Sequence, residues 1–143
     1  MTKIKVLLVD DEPSFVETMV KRLHKRGLEM LTAFGGQEAL ALLDSDDTIE
    51  VVILDIRMPG MDGMQTLKEI KGRHPLVEVI MLTAHGTVES GIEGMKQGAF
   101  DYLLKPCDIA QLLDKVTEAA AHRRQHQERI YKARIQTITL RKP

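Results

Sequence analysis

Residues 51–63 read VVILDIRMPGMDG, in which four apolar residues lead directly to Asp55 and then to a stretch rich in turn formers. A short β-branched run without alternating polar residues is typical of a strand that helices cover on both faces. Asp55 therefore stands where a buried strand gives way to a turn. An acid at that position indicates chemistry more than packing.

Similar apolar runs recur at residues 4–9, 28–34, 77–82 and 100–104, separated by longer segments with helical spacing. This alternation predicts βαβ units, a parallel sheet and an α/β fold of about five strands and five helices. Helices are expected at 14–26, at 37–43, from 62 or 63 onward, at 87–97 and from 108 onward. The first carries Phe15 in its apolar stripe. The fourth contains Gly91 and Gly94, and the sequence leaves open whether they serve close packing or mobility.

The composition describes one domain of ordinary size. The chain has 143 residues, of which 43% are hydrophobic, so its core needs no disulfide or structural metal. Residues 1–122 are predicted to form this domain, and 123–143 a basic helical extension or linker. The net charge of -1 and the 3% aromatic content argue against binding to nucleic acid. Cys107 is the only cysteine and no apolar stretch is long enough to cross a membrane, so we expect a soluble, cytoplasmic protein.

Polar side chains stand at the ends of four predicted strands. Asp10 and Asp11 follow the first, Asp55 the third, Thr83 the fourth and Lys105 the last. The carboxyl ends of parallel strands meet at one edge of a sheet, and clustered carboxylates there require a cation. Ligation by oxygen alone favours Mg²⁺. The sequence thus predicts a site in which Asp55 accepts a phosphoryl group, helped by the ammonium of Lys105 and the hydroxyl of Thr83.

Four motifs carry a resemblance to a known family. They are VDDE at 9–12, LDIRMPGMDG at 54–63, LTA at 82–84 and GAFDYLLKP at 98–106. In this order and spacing they resemble the receiver domain of bacterial two-component response regulators, over residues 3–121. Within it, residues 86–105 resemble receivers that precede the ATPase domains of enhancer-binding transcription activators.

The resemblance implies a flavodoxin-like sheet of order 2-1-3-4-5 and a role for each motif residue. Asp55 takes the phosphoryl group from the phosphohistidine of a histidine kinase. Asp11, Asp55 and the backbone carbonyl of Arg57 bind Mg²⁺, and Asp10 acts through water. Thr83 and Lys105 hold phosphoryl oxygens, and the Lys105–Pro106 peptide is cis. Thr83 and Tyr102 form a switch that responds to the phosphoryl group.

The resemblance also implies partners and limits the chemistry. The partners are a sensor histidine kinase or phosphotransfer protein, and a second copy of the chain bound through helix 4, strand 5 and helix 5. The protein is then not an enzyme, since it catalyses only its own phosphorylation and dephosphorylation. Arg57 and His85 border the site in the family, although His85 also suits a plain surface loop.

Several other functions fit less well. A flavin-binding redox protein needs a Ser/Thr-rich loop after the first strand, where this chain has DEP at 11–13. A phosphatase with an aspartate nucleophile has a second acid two residues later, where Arg57 stands. The basic stretch after residue 122 lacks a helix that could read DNA, which argues against direct DNA binding by this chain. His122 and His126 have metal-ligand spacing but are expected to face solvent. No phosphate-binding loop of an ATPase occurs, so the chain is either a fragment of an activator or a stand-alone receiver.

Overall fold

Five parallel strands form a single sheet in the computed structural model, which describes residues 2–140. The strands are β1 (Lys5–Val9), β2 (Glu29–Ala33), β3 (Val51–Leu54), β4 (Glu78–Thr83) and β5 (Asp101–Leu104). Their order is β2-β1-β3-β4-β5, which confirms the predicted flavodoxin-like arrangement. The order reverses beside β1, so β1 and β3 are neighbours and their carboxyl ends lie side by side.

Five helices connect and follow the strands. They are α1 (Pro13–Lys25), α2 (Gly36–Ser45), α3 (Gly63–Arg73), α4 (Val88–Lys96) and α5 (Ile109–Leu140). Local sequence explains where they begin and end. Pro13 opens α1, and Gly27, with a φ of 92°, reverses the chain after it. Asp62 and Thr87 cap α3 and α4 with reciprocal side-chain and backbone hydrogen bonds.

The core has two layers because successive strand residues point to opposite faces. Leu7 and Val9 pack against α2 and α3, whereas Val6 and Leu8 pack against α1 and α5. Most of the apolar residues in both layers are almost fully buried. None of the helices within residues 2–140 combines the length and apolar character that a membrane crossing requires.

Helix α4 is attached much less firmly than the others. Gly94 is its one buried residue among those described. A Cβ atom on Gly91 would lie 3.5 Å from the ring of Tyr102, and one on Gly94 would lie 3.8 Å from it. The ring therefore packs against the side of the helix that carries the two glycines. This contact favours close packing as the role of the two glycines.

Helix α5 runs without a break past the predicted boundary at residue 122. The side chain of Arg123 is buried and donates to the backbone carbonyl of Asp47 at 3.3 Å. Arg124 binds the buried carboxylate of Glu50 through two hydrogen bonds of 2.8 and 2.7 Å, which raise the pKa of its guanidinium. The first turn of the predicted extension thus packs on the domain. Beyond it the helix is mostly exposed as far as Leu140, and residues 141–143 lie outside the described part.

The two histidines of α5 differ in their surroundings. His126 is exposed, as predicted. The His122 ring is 59% exposed, but its Nδ1 is hydrogen-bonded to the carboxylate of Glu78 at the start of β4. Lys71 binds the other oxygen of Glu78 at 3.2 Å. Like Arg124, His122 therefore connects α5 to a buried acid at the amino edge of the sheet.

Replacing Arg124 should destabilise the domain far more than replacing a neighbouring arginine. In Arg124→Ala the mostly buried carboxylate of Glu50 loses its partner, and because Arg124 itself is partly exposed a cost of about 1–3 kcal/mol is expected. The matched control is Arg129→Ala on the exposed part of α5, where a change within about 0.5 kcal/mol is expected. Denaturant unfolding measures both. Equal losses would mean that α5 is not anchored by this ion pair.

Candidate metal centre

Three carboxylates meet at the carboxyl edge of the sheet. Val9 of β1 is paired with Leu54 of β3, and the acids Asp10 and Asp55 follow these two residues directly. The backbone N–H of Asp55 donates to the carbonyl of Val9 at 3.1 Å, so the strands stay together up to the acid. Asp10, Asp11 and Asp55 each offer an oxygen within 4.8 Å of the others. Asp10 and Asp55 are 1% and 4% exposed, and Asp11 is more open.

The ammonium of Lys105 is the positive charge inside this cluster. Its Nζ lies 2.6 Å from Oδ2 of Asp10 and 3.8 Å from Oδ2 of Asp55. One ammonium among three carboxylates leaves an excess of negative charge. Two like charges about 4 Å apart repel by roughly 4 kcal/mol at an effective dielectric of 20. The cluster therefore favours an added cation.

The donor atoms fit a hard divalent metal ion. All three side chains supply carboxylate oxygens, the ligands that hard cations prefer. Oδ1 of Asp55 is buried and has no hydrogen-bond partner among the residues described, so its lone pairs are available. Arg57 lines a cavity of about 420 Å³ together with Asp11. The three predicted carboxylate ligands are thus brought to one place, and Arg57 lies beside Asp11.

Thr83 and Lys105 reach the site from β4 and β5. Thr83 is fully buried, and its Oγ1 accepts the backbone N–H of His85 at 3.0 Å. The backbone N–H of Lys105 donates to the carbonyl of Thr83 at 2.9 Å, so the two residues are held side by side. The Lys105–Pro106 peptide is cis, as predicted. His85 is exposed in the loop that follows Thr83.

Two residues at the site were not identified from the sequence. The ring of Phe15 lies under Lys105, with Nζ 3.9 Å from the ring centroid. A Cβ atom on Gly63 would lie 2.2 Å from the carbonyl oxygen of Asp55, so only glycine fits there. One clue to Phe15 was its position four residues after Asp11, in the helix that begins at this edge. For Gly63, the only clue in the sequence was its position at the start of α3.

Tyr102 belongs to the neighbouring face. Its hydroxyl is 2.7 Å from Oγ of Ser90, and Ser90 forms the cap of α4 together with Thr87. A Cβ atom on Gly86 would lie 2.5 Å from the same hydroxyl. Tyr102 is therefore bonded to α4, while Thr83 is bonded to the loop that leads into α4. The two predicted switch residues are linked through residues 85–90 of the chain.

The surface beside Tyr102 is apolar and open. A hollow of about 890 Å³ runs between α4 and β5, and Tyr102 forms part of its wall. Its large apolar side chains are between 48% and 80% exposed, namely Val88, Ile92, Met95 and Leu104.

Cys107 lies after the cis peptide, and burial together with the nearby Asp108 raises the pKa of its thiol. A thiol of this kind is a poor nucleophile.

The chain belongs to the response regulator receiver domain family, whose model matches residues 6–117. It is 43% identical over 123 residues to the DNA-binding transcriptional regulator NtrC of Salmonella typhimurium, with 86% of this chain and 26% of that protein covered. It is 38% identical over 123 residues to the transcriptional regulatory protein ZraR of the same organism, with 86% and 28% covered. The chain thus spans about a quarter of the length of these relatives.

Solved structures agree with this assignment. A receiver domain protein from Clostridium thermocellum matches with a TM-score of 0.82 and 36% identity, over 85% of this chain and 98% of that one. NtrX from Brucella abortus matches with a TM-score of 0.81 and 31% identity, over 89% of this chain and 29% of that one. The predicted resemblance to receivers of transcriptional regulators is confirmed. A flavin-binding protein and an aspartate-based phosphatase are correspondingly disfavoured.

Adding a methyl group at Gly63 should disturb the loop that carries Asp55. In Gly63→Ala the new Cβ meets backbone atoms of Asp55 and Ile56, which cannot move aside cheaply, so a loss of about 1–3 kcal/mol is expected. Gly72→Ala on the same helix is the matched control. A Cβ there meets nothing within 4 Å, and stability should rise by about 0.5–1 kcal/mol. Thermal or denaturant unfolding measures both variants, and a neutral Gly63→Ala would contradict the close approach.

Proposed function

We propose that this receiver accepts a phosphoryl group on Asp55 in a reaction that depends on Mg²⁺. The donor is the phosphohistidine of a sensor histidine kinase or of a phosphotransfer protein. The observation that carries the proposal is the buried Asp55 carboxylate, whose Oδ1 lacks a hydrogen-bond partner among the described residues and which stands beside Asp11 and Lys105. A carboxylate held in this way has lone pairs for attack and a cation nearby to stabilise the product.

The transfer is a displacement at phosphorus. A carboxylate oxygen of Asp55 forms a new O–P bond while the P–N bond of the phosphohistidine breaks. The imidazole nitrogen leaves with the electron pair of that bond, and the product is an aspartyl phosphate. Placement and electrostatics lower the barrier in such reactions. The chain's own chemistry is limited to this gain of a phosphoryl group and its later loss to water, so it is not an enzyme acting on other molecules.

The surrounding residues take distinct roles in the proposal. Asp11, Asp55 and the backbone carbonyl of Arg57 would hold Mg²⁺, with Asp10 acting through water. When bound, Mg²⁺ neutralises negative charge on the phosphoryl oxygens. Lys105 would exchange its 2.6 Å contact with Asp10 for one with a phosphoryl oxygen. Oγ1 of Thr83 now accepts the N–H of His85, which leaves its own hydrogen to donate to the phosphoryl group.

The same contacts suggest how the phosphoryl group is sensed. A Thr83 drawn toward it would pull on the backbone of His85, which leads through Gly86 to the cap of α4. That cap includes Ser90, the partner of the Tyr102 hydroxyl. Moving such an equilibrium from 1:99 to 99:1 requires about 5.5 kcal/mol of differential stabilisation. The weakly attached α4 is the element that this free energy would displace, with Thr83 and Tyr102 as the switch.

The output surface proposed is the face of α4, β5 and α5. Its exposed apolar side chains suit contact with a partner or a second copy of the chain, which would make it the dimer surface. Within a longer protein, the chain would act as the receiver of a transcriptional regulator similar to NtrC or ZraR. Direct DNA binding by this chain is not part of the proposal. The proposal does include a cytoplasmic location, which agrees with the single unpaired cysteine.

Phosphorylation should be visible as a gain in intact mass. Incubation with Mg²⁺ and a small acyl phosphate should add one phosphoryl group to the wild type, and none to Asp55→Asn because the nucleophile is lost. Asp44→Asn, which removes an exposed acid on α2, is the matched control and should still be labelled. Removing Mg²⁺ with a chelator should suppress labelling. Undiminished gain by Asp55→Asn would overturn the proposed acceptor.

The switch should be visible in hydrogen exchange. Tyr102→Phe removes the hydroxyl that binds Ser90, a contact worth about 1 kcal/mol, so exchange in α4 should become several-fold faster without phosphorylation. Tyr131→Phe removes an exposed hydroxyl on α5 and should leave α4 unchanged. In the wild type, Mg²⁺ with a phosphate mimic should alter exchange over residues 84–104. No change there would contradict the proposed path from Thr83 to α4.

A further inference from the structure

Phe15 faces the most constrained charge of the site. The side chain of Lys105 is only 12% exposed, and its Nζ has three close neighbours. These are the carboxylates of Asp10 at 2.6 Å and Asp55 at 3.8 Å, and the Phe15 ring at 3.9 Å from its centroid. An ammonium over the face of an aromatic ring is attracted by the negative potential of that face, more strongly when water is excluded.

The ring differs from the other two neighbours in what happens during the reaction. Under the proposed function, Asp10 is drawn toward the metal ion and Asp55 receives the phosphoryl group. Both carboxylates therefore change their relation to Lys105. The ring carries no charge and offers no hydrogen bond, so neither the metal nor the phosphoryl group competes for it. It is the neighbour of Lys105 that stays the same in both states.

The local fold holds the ring in place. Phe15 lies in the first turn of α1, whose backbone is fixed by a hydrogen bond of 3.0 Å from Val16 to Glu12. The backbone N–H of Glu12 donates in turn to Oδ1 of Asp10 at 3.0 Å, so the start of α1 is tied to the acidic cluster. The ring also packs against the core layer beneath α1 and α5. A leucine could fill much of this space but would present no aromatic face.

We infer that Phe15 is a positioning residue for phosphoryl transfer: its ring holds the Lys105 ammonium close to Asp55 while the carboxylates exchange partners. The inference deepens the proposed function and rests on it. Phe15 contacts no reacting atom and acts only through Lys105. Its role should therefore disappear when the ammonium is removed.

The first test compares rates of phosphoryl uptake from a small acyl phosphate with Mg²⁺, followed by intact mass. Phe15→Leu should lower the initial rate by about threefold to tenfold, the range that a partly desolvated contact of this type supports. Phe15→Tyr keeps the aromatic face and should stay within about twofold of the wild type. Phe100→Leu makes the same change at a half-buried ring of the same core layer, just before β5 at the amino edge of the sheet, and should leave the rate unchanged. Thermal unfolding checks that each variant is folded.

Two further readouts separate positioning from structural damage. In the double variant Lys105→Met with Phe15→Leu, the second change should cause no further loss of rate, because the ammonium is already gone. Without Mg²⁺ or phosphate, the ε-methylene protons of Lys105 should resonate upfield in the wild type and in Phe15→Tyr, owing to the ring current, and return to ordinary values in Phe15→Leu. This readout does not depend on activity.

The outcomes distinguish the inference from the proposed function. Wild-type rates in Phe15→Leu, an equal loss in Phe15→Tyr, an additive loss in the double variant, or a wild-type Lys105 signal without an upfield shift would each overturn the role of Phe15. A wild type that gains no phosphoryl group would instead overturn the proposed function. In that case the Lys105 resonance would still decide whether the ring and the ammonium are in contact.

Discussion

Mutual repulsion among three carboxylates at one edge of a parallel sheet governs the chemistry of this site. Asp10 and Asp55 are nearly buried, and Asp11 stands beside them. Burying such charges is unfavourable unless they are paired, and Lys105 alone does not balance them. The domain therefore stores a local excess of negative charge at the place where its strands converge. Cation binding and phosphoryl acceptance are two ways in which this excess can be used.

Lys105 is the group that cation binding and phosphoryl acceptance would both affect. Its ammonium lies between two acids and an aromatic ring, and two of those three neighbours belong to the proposed chemistry. A cation that must change partners needs a support that does not change. Phe15 supplies one without adding a charge or a hydrogen bond. An apolar residue can therefore support the position of Lys105 in a site that otherwise consists of charged and polar groups.

Helices α4 and α5 are attached to the sheet in opposite ways. Helix α5 is held by Arg124 and His122, which bind the buried acids Glu50 and Glu78 at the amino edge of the sheet. Helix α4 rests on the Tyr102 ring through Gly91 and Gly94, and its cap is bonded to the Tyr102 hydroxyl. A change at the acidic cluster should therefore displace α4 more easily than α5. This asymmetry suits a switch whose movement is confined to α4.

Local sequence patterns predicted the succession of strands and helices along the chain, because the apolar periods and the capping residues act over a few neighbouring residues. The motifs also brought Asp10, Asp11, Asp55, Thr83 and Lys105 together, since residues at strand ends must meet at the edge of a parallel sheet, whereas Tyr102 followed only from the family resemblance. Which atoms are left without partners, and which residues from distant segments touch, became visible only in the folded chain. The ring of Phe15 under Lys105, Gly63 against Asp55 and Arg124 on Glu50 join residues far apart in the chain or depend on exact backbone approach. Such contacts are set by how helices pack on the sheet, which local spacing does not encode.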